Sequence, residues 1–300
     1  MKRFLQAISV KLKLYIHGAM RVGKKAVSLM QRIQLLLVLI YFFTFLGFYI
    51  FTGQLGAGLL LFLAGGLLSI VMSLQHRVNF LREWSVLLMI AVSYESLRFL
   101  YLATSERFGV ANIYAIDRAL WGINLTGTLQ SLANSNALTP IMTLVYSLHI
   151  PLVIIFAFVF WAGKRSFFSL YVTSISICTY IAFLFFLFIP SAPPWYAGIA
   201  QNMLSGNNGV SGTYHSLSSI VESDPLAAFP SLHAAYVVTL TLVLFKINRR
   251  YGLLFTPVAL AVLFSTIYLG QHYVVDLLAG SAIAIISVYV AERIGNVVKL

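Results

Sequence analysis

The stretch FFSLYVTSISICTYIAFLFFLFI occupies residues 167–189 and carries no charged side chain. Lys164 and Arg165 precede it and Pro190 follows it. As a helix rising about 1.5 Å per residue, such a run crosses the roughly 30 Å hydrocarbon core of a bilayer. It is also far longer than a membrane β-strand, which needs only about 9–11 residues. Similar runs recur along the chain. Of its 300 residues, 60% are hydrophobic and 9% charged, and the mean hydropathy is +0.91. No soluble globular domain is this apolar. The sequence therefore predicts an all-α, polytopic transmembrane helical bundle. About eight spans are expected, at 33–52, 55–74, 84–103, 139–162, 167–189, 231–246, 252–270 and 273–291, with a six-helix catalytic core.

The net charge of +12 would suggest nucleic acid in a soluble protein. Here its distribution argues for orientation instead, and no nucleic-acid partner is expected. Lys2, Arg3, Lys11, Lys13, Arg21, Lys24, Lys25 and Arg32 precede the first run. Arg77, Arg82, Lys164, Arg165, Lys246, Arg249, Arg250, Arg293 and Lys299 fall on the same side if the chain crosses eight times. Only Arg107 and Arg118 fall opposite, and Arg98 lies within a span. Basic residues mark the cytoplasmic side. Both termini are thus expected in the cytoplasm, with the loops 104–138 and 190–230 external or luminal. Residues 1–32 read as a basic leader lying on anionic lipid rather than a cleaved signal peptide. Residues 33–300 read as one transmembrane catalytic domain.

Two histidines stand at the mouths of apolar helices on the expected external side. His233 follows Phe229-Pro230-Ser231-Leu232, a helix start. His272 lies in Gly270-Gln271-His272-Tyr273-Val274-Val275-Asp276, four residues before Asp276, so the two share a helix face. A carboxylate behind an imidazole selects its tautomer and stabilises its charged form. A second histidine opposite can protonate a leaving group. Arg98, about 8 Å inside the third span, and the helix start at Ser231 offer positive charge and N–H groups to a phosphate. Phosphoryl transfer needs little more. The lone Cys178 permits no internal disulfide, and no cysteine or carboxylate cluster suggests a metal.

These motifs resemble the type 2 phosphatidic acid phosphatase superfamily. Pro230-Ser231-Leu232-His233 matches its second motif with Leu232 in place of glycine. Ser265 through Asp276 matches the third, with Thr266 in place of arginine; the first motif is absent. The resemblance implies that His272 attacks phosphorus, Asp276 orients it and His233 protonates the leaving oxygen. Ala192-Pro193-Pro194-Trp195-Tyr196, Tyr94-Glu95-Ser96-Leu97-Arg98, Asp117-Arg118 and Tyr146-Ser147-Leu148-His149 are closer to the inositol phosphorylceramide synthase-like, or inositolphosphotransferase, branch. That implies a metal-independent enzyme without cofactor, acting on a membrane lipid through a phosphohistidine-type intermediate. Either a phospho-head-group moves to a lipid alcohol, or water is the acceptor and the enzyme is a lipid phosphate phosphatase.

Other residues have two readings. Glu95 pairs with Arg98 or lies near the site. Arg118 binds phosphate or pairs with Asp117. His149 is a hydrogen-bonded core group or lies near the head group. Pro193, Pro194 and Trp195 end the fifth span, and Trp195 and Tyr196 suit either the membrane interface or a substrate entrance. His215, Glu222 and Asp224 are expected to be solvated, and His17 and His76 to lie in the cytoplasm. A transporter using His149, Glu95 and Arg98 as a proton or anion relay is the rival from another class.

Overall fold

A computed structural model describes residues 24–75, 80–133, 137–204 and 224–298. Among these residues it is a helical bundle without strands: α1 Lys24–Thr52, α2 Ala57–Ser73, α3 Phe80–Phe108, α4 Ile113–Trp121, α5 Leu125–Ala133, α6 Leu138–Ser147, α7 His149–Gly163, α8 Arg165–Phe188, α9 Leu232–Ile247, α10 Arg249–Tyr268 and α11 Val274–Val298. The leader up to residue 23, His17, His76, Arg77, His215, Glu222 and Lys299 lie outside the described residues.

All eight stretches expected as spans are helical, but they are not equal. The helices α1, α3, α8, α10 and α11 are each long and apolar enough to cross a membrane. The span expected at 139–162 is instead the pair α6 and α7, bent by 41° at Leu148. The pair counts as a sixth crossing only if taken as one span. With 17 and 16 residues, α2 and α9 are shorter. At 1.5 Å per residue α9 is about 24 Å long, less than the hydrocarbon core. Packed among α8, α10 and α11, it meets protein rather than lipid along much of its surface, so it need not match the full bilayer thickness. Two further short helices, α4 and α5, occupy the loop expected at 104–138.

The opening stretch, now α8, lies at the centre, against α3, α7, α9 and α11. Its serines and threonines reconcile polarity with burial. Ser174, Ser176 and Thr179 donate to the carbonyls of Leu170, Val172 and Ile175, each at 2.7 Å. A hydroxyl that bonds back to its own helix leaves no unpaired donor in an apolar core. Such small residues also let neighbouring backbones approach. Tyr41 of α1 uses this closeness, donating to the Ser176 carbonyl at 2.6 Å.

At one end of the bundle three connections are woven together. Ala111 pairs with Ser191, and Ser191 with Ala227, as isolated bridges. The Ser191 N–H donates to Leu226 O at 2.7 Å, and the Ser191 hydroxyl accepts from Phe229 N at 2.8 Å. Gln130 of α5 donates to the carbonyls of Gln201 and Tyr268, both at 2.9 Å. The described parts of both long loops and the α10–α11 turn therefore lie at the same end. Lys164 and Arg165, at the α7–α8 junction, and Asn248-Arg249, at the α9–α10 junction, occupy the opposite end.

Candidate active site

The woven end delivers the residues of both motifs to one place. Ser231 is the N-cap of α9: its hydroxyl accepts from Ala234 N, and its own N–H donates to the Asp276 carbonyl at 3.0 Å. This backbone bond ties the start of α9 to the start of α11. A side chain at Gly280 would come within 2.2 Å of the Ser231 carbonyl, so only glycine permits the contact. On the other side, Gly270 turns with φ +78° and leaves no room for a side chain beside Gln201. This turn brings His272 back over α11.

His272 is not itself helical; α11 begins at Val274. It still reaches Asp276, Nδ1 lying 3.3 Å from Oδ2. The same oxygen accepts from Tyr273 N at 2.8 Å, so Asp276 caps the helix as it orients the imidazole. Asp276 is fully buried and His272 almost so. From across the gap His233 Nδ1 lies 3.2 Å from His272 Nε2. The tautomers follow from the partners. Facing a carboxylate, His272 carries its proton on Nδ1. Its Nε2 lone pair then accepts from the His233 Nδ1–H.

The third histidine is part of this group. His149 lies at the bend between α6 and α7, and its ring centroid is 3.8 Å from that of His233. Tyr146 stacks on His233 at 4.3 Å. The His149 Nδ1 lies 3.0 Å from the Tyr146 carbonyl. A carbonyl only accepts, so Nδ1 carries the proton and Nε2 an open lone pair. His149 thus makes a backbone hydrogen bond and lies beside the histidine pair.

The three histidines border a cavity of about 1500 Å³. Glu95, Trp195, Gln271 and Asp224 also line it. The Nε1 of Trp195 and the Nε2 of His233 are buried without a partner among the described residues. Asp224, expected to be solvated, is only partly exposed. Its carboxylate accepts from Leu226 N at 2.7 Å, and burial pushes its pKa up to about 7.

Arg98, Arg118, Tyr196 and Ser231 do not line the cavity. Arg98 pairs with Glu95, Nε to Oε2 at 3.5 Å, and is about a third exposed. Arg118 is exposed and donates to the Tyr114 hydroxyl at 3.2 Å. Its expected partner Asp117 is engaged elsewhere. That side chain is buried and accepts from Val275 N at 3.0 Å, a second cap on α11. Tyr196 packs edge-on against Trp195 at 5.4 Å and is half-exposed. Ser231 serves as a cap. Sequence reasoning missed Asp117 as a cap, and it missed Tyr146, Gln271 and Tyr236 as cavity-lining groups. Tyr146, Gln271 and Asp117 each lay in a motif quoted for other residues, and Tyr236 had no signal.

Comparison with known proteins adds an independent line. Residues 111–290, more than half of the chain, match the PAP2 superfamily. The inositol phosphorylceramide synthase catalytic subunit aur1 of Schizosaccharomyces pombe is 26% identical over 221 residues, 68% of this chain and 52% of that protein. The phosphoinositol dihydroceramide synthase of Bacteroides thetaiotaomicron is 26% identical over 216 residues, 65% of this chain and 71% of that protein. The chain thus spans about half the length of the first relative. No solved structure matches it. The matched region contains His149, His233, His272 and Asp276 but neither Glu95 nor Arg98. With both histidine motifs inside that region and both relatives in the inositol phosphorylceramide synthase-like branch, the chain belongs to the PAP2 superfamily.

Proposed function

We propose that this chain is a membrane enzyme that transfers a phospho-head-group to a lipid alcohol. The observation that carries the reading is the run Asp276–His272–His233 beside a large cavity within a helical bundle. His272 Nε2 attacks phosphorus, and the bond from phosphorus to the leaving oxygen breaks. His233, entering the step as the imidazolium with protons on both ring nitrogens, gives that oxygen its Nδ1 proton and is left neutral. The acceptor hydroxyl then loses its proton to His233 and attacks the phosphohistidine, and the P–N bond breaks to regenerate His272. Asp276 holds the required tautomer and stabilises the charge that develops on the ring. The names of the two relatives favour phosphoinositol as the head group and a ceramide-type alcohol as the acceptor.

Arg98 and Arg118 are proposed to support the phosphate from the rim, Arg98 by exchanging Glu95 for the substrate. Glu95, Trp195 and Tyr196 are proposed to border the path to the site. Hydrolysis is the second version of the same chemistry, with water in place of the alcohol.

A product assay decides. The purified protein is given lipid phosphates and phosphodiesters, with and without lipid alcohols. A new head-grouped lipid identifies transfer. Release of free phosphate or of a free phospho-head-group identifies hydrolysis. Consumption of no phosphoester in any combination overturns both versions.

The site end is further proposed to face the external or luminal leaflet. Lys164, Arg165, Arg249 and Arg250 at the opposite end support this through the positive-inside tendency. In a Cys178→Ser background, Tyr196→Cys should react with an impermeant thiol reagent from outside intact cells, and Lys164→Cys should not. The reverse pattern would invert the orientation.

A further inference from the structure

A phosphate fills little of this cavity. Its volume of about 1500 Å³ exceeds the roughly 300–1,000 Å³ of ordinary small-molecule sites. Away from the histidines its walls are hydrocarbon. Trp84, Leu87 and Ala91 form a stripe on α3 at helical spacing, and Ile150, Val153 and Ile154 face them from α7. From Glu95 to Trp84 the α3 wall covers about 16 Å at 1.5 Å per residue. That is close to half of the roughly 30 Å hydrocarbon core, the depth of one leaflet.

At the far end stands Trp84 with its aromatic neighbours. Phe80 stacks on Trp84 with ring centroids 4.9 Å apart, and Trp161 of α7 meets Phe80 edge-on at 5.4 Å. Beneath them Glu83 accepts from the Trp161 indole at 2.5 Å and pairs with Arg165, whose guanidinium lies over the Trp161 ring. This latch ties α3 to the end of α7 and the start of α8. The slot between α3 and α7 therefore has polar chemistry at one end and an aromatic floor at the other.

We propose that the slot holds one hydrocarbon chain of the lipid phosphoester, and that the floor at Trp84 sets the longest chain it accepts. The proposal rests on the phosphoester reading for the group at its polar end. Each additional methylene that enters the slot is expected to raise affinity about fourfold, until the chain meets Trp84. Ala91→Phe fills the slot part-way, and Trp84→Ala removes its floor.

The test is equilibrium binding of a homologous series of saturated n-alkylphosphonates, from short to long, to the wild type and both variants in one detergent. The ratio of variant to wild-type affinity at each length cancels partition of the chain into the micelle. For Ala91→Phe the ratio is expected to stay near one for short chains and to fall at least tenfold once the chain reaches residue 91. For Trp84→Ala the longest chains are expected to bind more tightly than to the wild type. Should either variant fail to fold, as judged by thermal unfolding, Leu87→Trp takes its place as a second obstruction. A ratio independent of chain length in the folded variants overturns the slot. Because binding is read without turnover, a chain-length break in a protein that consumes no phosphoester keeps the slot and removes the reaction. Turnover without a break does the opposite.

Discussion

His233 Nδ1 stands 3.2 Å from His272 Nε2, so the lone pair of one imidazole is occupied by the N–H of the other. With Asp276 on the far nitrogen, His272 has both ring nitrogens engaged. A phosphate can reach Nε2 only by coming between the rings and replacing this bond. The same N–H then points at the substrate, where a leaving oxygen needs a proton. Removing His233 therefore frees the nucleophile while removing the acid. His233→Ala is expected to slow an alkyl leaving group by about 10²–10⁴-fold, the usual worth of general acid catalysis. A p-nitrophenolate, which leaves without a proton, should be far less affected. Single-turnover kinetics on both substrates, with trapping of acid-labile phosphohistidine, checks this. Equal losses on both, with intermediate still forming in His272→Ala, would exchange the two roles.

Asp276 has two duties that substitutions can separate. Its Oδ2 accepts from His272 Nδ1 and from Tyr273 N. Asp276→Asn keeps an acceptor for the backbone but loses the charge, and its amide can turn a donor toward the ring and select the wrong tautomer. The expected result is a loss in kcat of up to about 10⁴-fold, as for the equivalent change in a serine protease triad, with thermal unfolding little changed. Asp276→Ala should also lower stability, by about 1–3 kcal/mol, because the buried Tyr273 N–H loses its acceptor. An Asn variant that unfolds as readily as the Ala variant would make the residue a cap alone.

The bundle was legible because apolar runs such as 167–189 leave a chain in lipid few alternatives to helix. The His272–Asp276 contact was legible because four-residue spacing carries across the first turn of a helix even though His272 precedes it. The bend at Leu148 was not. A continuous apolar run looks the same whether it forms one helix or two, and Pro151 lies within α7, where a proline fits the first turn. Nor was the slot, because Trp84 and Trp161 lie 77 positions apart and are joined through Phe80, which touches both. Asp117 was read beside Arg118 because neighbours in sequence suggest a pair. Its actual partner, Val275, is on another helix. Asp224 was read as solvated because it lies in a long loop, yet with Pro225, Ala227 and Ala228 it lines the cavity.

Asp224 supplies a prediction about pH. Burial raises its pKa from the ordinary carboxylate range to about 7. Between about pH 4 and pH 7 the folded protein holds a proton that the unfolded chain has released. Stability therefore falls as pH rises through this window and is level above it. Asp224→Asn keeps the acceptor for Leu226 N but cannot ionise. Its unfolding temperature should match the wild type near pH 4 and exceed it above pH 7, by a margin that approaches the equivalent of about 4 kcal/mol, at about 1.4 kcal/mol per pH unit crossed. Scanning calorimetry in one detergent across that range measures the difference. A gap that does not widen with pH would show that Asp224 is ionised throughout.

Gly280 tests whether the geometry of the pair is set by backbone contact. It lies one turn beyond Asp276, on the same face of α11. A methyl group there would sit 2.2 Å from the Ser231 carbonyl and 3.2 Å from the Ala234 Cβ. Neither neighbour is the end of a flexible side chain, so the start of α9 has to move away from α11. His233 moves with α9, whereas His272 stays with α11. Displacing reacting groups by about 1 Å can cost on the order of 10²-fold in rate, and overpacking typically costs about 1–3 kcal/mol. Gly280→Ala is therefore expected to lower both kcat and the unfolding temperature. Gly163→Ala, where a side chain would meet nothing within 4 Å, serves as the control. If kcat falls while the unfolding temperature holds, the contact acts mainly to align the histidines. If both stay at the wild-type value, α9 has freedom that the Ser231–Asp276 hydrogen bond denies it, and the alignment must come from elsewhere.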